Sequence, residues 1–301
     1  MIKQKNTNLN SLGIILGFSG YLIFVLLDSI IKKYLVSSYP VFEINFFISM
    51  FTLIPITITL FFFNSWHVLL NSKIHIQLLR GCLGLLSGAL IINSFKQHAL
   101  SEIYPILFST PLILTIFSHF FLREKVGIRR WSAVLIGFIG VLIVSRPGTI
   151  HFTWALFGLF IAAIILATNI IIIRSLAKSQ SAIAFTFYGS IAGLILSAII
   201  TSRNFIYPTN NDLYIFLICG IICGIAALCI SGASKMLESS ILAPIQYVQL
   251  VAGFILGYLF FGDLPDIYEI FGSFIIIFSG LFIIYRQNKL GISSFIRDQL
   301  N

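Results

Sequence analysis

Gln246, Tyr247 and Gln249 put three hydrogen-bonding side chains within four residues of an apolar run, just after Pro244. Gln246 and Gln249 are three apart and share a helical face, with Tyr247 about 100° round from Gln246. On a helix in lipid, such groups can hold a polar solute or bond a neighbouring helix. Asp28 is the acid well inside the first apolar run. It can take a proton or pair with a cationic solute; a helix pair with Lys32 at i+4 is the alternative. Glu43 and Asn45 open the second run. They read as an outer-gate or substrate carboxylate with an amide beside it, or as a carboxylate favoured by the positive end of a helix. Asn93 and Asn169 lie deeper, in the third and sixth runs, and can bond solute or a neighbouring helix. Each polar group in lipid costs a few kcal/mol. These eight residues are therefore the candidate substrate-binding set.

Other polar residues carry less chemistry. Glu102 and Glu238, near Ser101 and Ser239, read as helix-start residues that cap. His119 reads as a neutral histidine bonded to a neighbour, before a proton carrier. Cys82, Cys219, Cys223 and Cys229 lie in apolar runs without CxxC spacing, so no zinc site or disulfide framework is indicated. Asp263, Asp266 and Glu269 form the one acidic cluster and read as a loop charge set. No catalytic set, metal or cofactor is expected. There is no Walker motif to drive transport with ATP.

The elements that position these residues follow from composition. The 301 residues are 58% hydrophobic and 10% charged, against about 25% charged in a soluble domain. A soluble globule of this size cannot cover so much apolar surface, whereas a bilayer accepts it. A net charge of +9 would suggest nucleic acid in a soluble protein, but here the basic residues sit at the ends of apolar runs. The run from Leu12 follows Lys3 and Lys5 and ends in Asp28, Lys32 and Lys33 with no small-residue cleavage site. It reads as a retained first helix.

Ten apolar segments are expected to be transmembrane helices: about 12–34, 41–63, 77–95, 103–122, 128–145, 153–173, 182–201, 213–232, 242–261 and 267–285. Each approaches the roughly 20 residues that cross a bilayer, and backbone satisfaction in lipid requires helices. Pro55 and Pro111 are expected to kink the second and fourth. Gly84 with Gly88, Gly220 with Gly224, and Gly253 with Gly257 are small-xxx-small faces for close helix approach. With the N-terminus inside, the inner segments hold 14 Lys and Arg and the outer loops 5. That bias places both termini in the cytoplasm.

An internal repeat organises the chain. At an offset of 139, Gly81 matches Gly220, Lys96 matches Lys235 and Pro105 matches Pro244. One residue later in register, Gly140 matches Gly280 and Arg146 matches Arg286. The expected domains are a first repeat at 12–146 and a second at 153–286, with cytoplasmic tails at 1–11 and 287–301. Five helices per copy is an odd number, so the copies insert with opposite orientation. Inverted repeats of this kind belong to transporters, which exchange inward-open and outward-open states.

The run Leu79-Arg80-Gly81-Cys82-Leu83-Gly84, the stretch Phe121-Leu122-Arg123-Glu124, and Trp131 with Gly137-Phe138-Ile139-Gly140-Val141 resemble the EamA domain of the drug/metabolite transporter superfamily. The resemblance covers about 12–286, in two copies. Asp28, Lys33-Tyr34-Leu35, Phe42-Glu43, Phe46-Phe47, Arg80-Gly81, Ala243-Pro244, Tyr247 and Leu250-Val251 extend it to the S-adenosylmethionine uptake transporters of intracellular bacteria. Where that subgroup has an arginine, this chain has Ile48. Where it has a basic and an acidic residue flanking Tyr247, this chain has Gln246 and Gln249.

The resemblance implies an all-α, ten-helix membrane protein of two inverted five-helix repeats. It implies a secondary-active inner-membrane carrier of a small organic metabolite, with S-adenosylmethionine uptake or exchange as the lead. An exporter of amino acids or other metabolites is the alternative, and a membrane-embedded lipid enzyme the remote one. The expected partners are the solute and the bilayer, not nucleic acid, with the chain a monomer or homodimer.

Overall fold

The computed structural model describes residues 2–70, 73–121, 127–146, 153–176, 181–236 and 245–299. Glu238, Pro244 and the Arg123-Glu124 stretch lie outside these residues. Among the described residues every regular element is a helix. α1 is Ile2–Ile30, continued by a π-helical turn at Ile31–Leu35. α2 is Val41–Phe62, α3 the single turn His67–Leu70, and α4 Ile74–Ser94. α5, Leu100–Leu107, and α6, Ser109–Phe121, are two parts of one path. α7 is Ile128–Ser145, α8 Trp154–Leu176, α9 Ala182–Thr201 and α10 Asn210–Met236. α11 is Val248–Phe261 and α12 Ile267–Gln299.

Seven of these paths are long and apolar enough to cross a membrane, and three shorter apolar helices lie at Trp131–Ser145, Val248–Phe261 and Ile267–Phe282. The shorter three fall on the fifth, ninth and tenth apolar segments. Large side chains such as Phe61, Leu135, Ile199, Leu259 and Phe278 are exposed on the outer surface. An outer surface this apolar matches lipid rather than water.

The chain order is interleaved in space. α10 packs between α1 and α2, α2 between α10 and α9, α9 between α2 and α4, and α4 between α9 and α8. Helices from the first 146 residues therefore alternate with helices from the rest. Close approach comes from small residues. Thr52 Oγ1 donates to the Gly220 carbonyl at 3.2 Å. A Cβ at Gly81 would collide with Ala192 and Gly189, and one at Gly224 with Thr52 and Pro55. Gly84 faces open space, and a Cβ at Gly257 would make only ordinary contact. The small-xxx-small motifs therefore serve at some of their positions and not at others.

The prolines act differently. α2 runs through Pro55 without interruption. The fourth path breaks at Phe108. Pro111 has no N–H to offer the carbonyl four residues back, which loosens the turn there.

Candidate functional site

A cavity of about 320 Å³ opens between α1, α2, α4, α5, α6, α8, α10 and α11. That lies at the lower end of the roughly 300–1,000 Å³ of small-molecule pockets. Its polar lining is Asp28, Asn45, Thr110, Gln246 and Gln249, with the phenols of Tyr21 and Tyr104. Phe24 and Phe108 supply aromatic wall, and aliphatic residues, Ile48 among them, complete it.

Among the described residues, Asp28 is the single charged residue of that lining. Its Oδ2 accepts from the Tyr104 hydroxyl at 2.7 Å. The pairing of Asp28 with Lys32 is not observed. The π-helical turn begins at Ile31 and widens the helix there, so Lys32 leaves the face that i+4 spacing would give it. Lys32 instead donates to the His98 carbonyl at 2.7 Å, lies 3.8 Å from an Asp263 oxygen, and stands over the Phe261 ring at 4.7 Å.

Asn45 Nδ2 donates to the Val41 carbonyl at 3.0 Å. Its Oδ1 faces Gly88, where a Cβ would stand 3.1 Å away. The glycine on α4 thus leaves room for the amide at the cavity wall.

The other four candidates lie outside this lining. Glu43 is fully buried. Its Oε2 accepts from the Ile206 backbone N–H at 3.1 Å, which ties α2 to the α9–α10 connection. Asn93 is exposed. Asn169 is buried, and its Oδ1 has no hydrogen-bond partner among the described residues. Tyr247 is buried behind the wall, stacked on Phe108. Glu102 does not cap α5; its carboxylate meets His98 Nδ1 at 2.8 Å, and His98 Nε2 meets Thr153 Oγ1 at 2.6 Å. His119 contacts the rings of Phe120 and Trp131.

Sequence reasoning does not single out which aromatic residues line the site. Tyr21, Phe24, Tyr104 and Phe108 are lost among 30 phenylalanines and 11 tyrosines. The one usable signal is Tyr104 beside Pro105 and four residues before Phe108, close to Pro111.

Beyond the cavity, acidic residues tie the connecting segments together. Asp266 Oδ1 accepts from the Glu269 N–H at 2.8 Å, and its Oδ2 accepts from the Arg146 guanidinium. Arg146 adopts a left-handed φ of 43° as it leaves α7 and also stands over the Tyr268 ring at 4.8 Å. Partial burial pushes the Asp266 carboxyl up, but the Glu269 N–H and Arg146 outweigh it and hold it below its ordinary value. Tyr39 donates to Asp212 at 2.7 Å, and burial together with that bond pushes its phenol up.

A helical bundle with an apolar exterior, enclosing a cavity lined by one carboxylate, amides and aromatic rings, is the architecture of a membrane transporter of small metabolites. The EamA-like transporter family model matches residues 11–146 and 153–286, and the chain belongs to that family. An S-adenosylmethionine uptake transporter of Rickettsia felis is 28% identical over 262 residues, 87% of this chain and 89% of its own length. A riboflavin transporter of Vibrio cholerae is 28% identical over 61% of this chain and 62% of its own length. Solute carrier family 35 member G1 of Mus musculus is 26% identical over 67% of this chain and 59% of its own length. One solved crystal structure superposes with a TM-score of 0.68 at 15% identity, over 93% of this chain and 99% of that one.

Proposed function

We propose that this chain moves S-adenosylmethionine, or a closely related cationic nucleoside, across a bacterial inner membrane by alternating access. The observation that carries the reading is Asp28, the one acidic or basic side chain among the described lining residues, which are otherwise rings, amides, the Thr110 hydroxyl and aliphatic groups. A lone carboxylate among aromatic rings suits a cation, because carboxylate and ring faces both attract positive charge. The amides of Asn45, Gln246 and Gln249 suit the hydrogen-bonding edges of a base or an amino-acid group. The Rickettsia relatives named as S-adenosylmethionine uptake transporters support the substrate. The two repeats are read as inverted halves, with both termini cytoplasmic. The driving force is read as a gradient, used through proton coupling, through exchange of one solute for another, or through facilitated diffusion.

The test is uptake of labelled S-adenosylmethionine into proteoliposomes, with and without unlabelled solute inside. Saturable uptake that rises with internal solute is the expected result. Folded protein giving no flux above empty liposomes removes this substrate. Riboflavin flux in the same vesicles would reassign the cavity to a neutral planar solute.

A further inference from the structure

Two irregularities in the helices fall at matched places. Phe108, between α5 and α6, has φ −72° and ψ 0°. Tyr247, just before α11, has φ −62° and ψ −13°. The register that aligns Pro105 with Pro244 also aligns Phe108 with Tyr247, each pair being 139 residues apart. In space these two residues meet. Their ring centroids are 5.1 Å apart and the planes 24° from parallel.

Phe108 reaches the cavity and Tyr247 does not. Behind Tyr247 stands Gly280 of α12, where a Cβ would overlap the phenol. The Tyr247 ring is thus confined between Phe108 and the α12 backbone. Its hydroxyl is buried with no hydrogen-bond partner among the described residues. An unpartnered buried hydroxyl is a liability, so the benefit at this position comes from the ring.

We propose that Phe108 and Tyr247 form an aromatic shelf that receives the planar ring of the solute, with Phe108 in contact and Tyr247 as the residue that fixes its plane. The shelf rests on the reading above and deepens it. Tyr104 and Phe108 are four residues apart, on one face about one turn, or roughly 6 Å, from each other. Tyr104 holds Asp28. The carboxylate and the shelf therefore address one ligand whose positive centre lies about a helical turn from a flat heteroaromatic ring.

The test is calorimetric binding to the purified full-length protein in detergent. Three solutes are compared: S-adenosylmethionine, S-methylmethionine (sulfonium without a ring) and adenosine (ring without the cation). Phe108→Leu and Tyr247→Leu are expected to weaken S-adenosylmethionine and adenosine about tenfold, the order of one base-stacking contact. S-methylmethionine should stay within about twofold of wild type by the same argument. Tyr247→Phe, which keeps the ring, is expected to restore binding of the ring-bearing solutes. Phe108→Met keeps volume without the π face and should show the same selectivity if a leucine variant does not fold. Equal weakening of all three solutes, or no change for any, overturns the shelf. If the wild type binds no S-adenosylmethionine, the substrate reading falls alone. Adenosine and riboflavin then test the shelf: ring-selective loss in the variants supports it, and unchanged or absent binding overturns it.

Discussion

Asp28 is where a single atom matters most. Its Oδ2 takes the Tyr104 hydroxyl, and the side chain lines the cavity. Asp28→Asn keeps shape and removes charge. A hydrogen bond to a charged group is worth about 1.5–3 kcal/mol, so the KM for a cationic solute should rise roughly 10- to 100-fold, with a smaller change for a neutral one. Tyr104→Phe removes the bond that orients the carboxylate and should raise KM in the same direction, with the maximal rate less affected. Concentration-dependent uptake in proteoliposomes reads both, and an unchanged KM in Asp28→Asn would separate this carboxylate from the solute. Asp28, Asn45, Gln246 and Gln249 stand out in the sequence because polar groups interrupt apolar runs. Glu43, Asn93, Asn169 and Tyr247 stand out for the same reason, yet occupy other faces. A helix apolar on every side does not declare which face looks inward. The aromatic wall did not stand out for the opposite reason, since phenylalanine and tyrosine, 30 and 11 in number, recur throughout the apolar runs.

At the level of elements, the apolar segments were readable because lipid leaves the backbone no alternative to helix. What they pack against was not. Gly84 and Gly220 look alike in sequence, each the first member of a small-xxx-small pair. A Cβ at Gly220 would stand 3.0 Å from the Phe51 backbone, while one at Gly84 meets nothing within 4 Å. Backbone cannot swing aside, so Gly220→Ala should destabilise by about 1–3 kcal/mol, as overpacking does. Gly84→Ala should be neutral or stabilise by up to about 1 kcal/mol through helix propensity. Thermal unfolding in detergent checks both, and equal shifts would mean that the α2–α10 contact is looser than it appears. The π-helical turn was equally unreadable. It turns Lys32 from Asp28 toward Asp263 and the His98 carbonyl, joining the end of α1 to the segment before α12.

Across the whole molecule, helices from the first and second parts of the chain alternate, so neither part can move without sliding past the other. The two parts also meet through ion pairs at their connecting segments. The Arg146–Asp266 pair is one such contact, linking the end of α7 to the segment before α12. The interleaving of early and late helices was not readable, because repeat register carries no information about neighbours across the bundle. The Asp266 carboxyl is held below its ordinary value. Its contribution is therefore fully present above the unfolded aspartate value of about 3.9. It fades as pH falls from there through the lower folded value. Asp266→Asn removes that contribution at every pH. The difference in thermal midpoint between wild type and Asp266→Asn should be constant from about pH 8 to 5 and shrink only below about 4. Because the side chain is 40% exposed, solvent screening keeps the difference small, and added salt should reduce it further. A difference that instead grew on acidification would mean that Asp266 is held above its ordinary value by burial, with Arg146 a bystander.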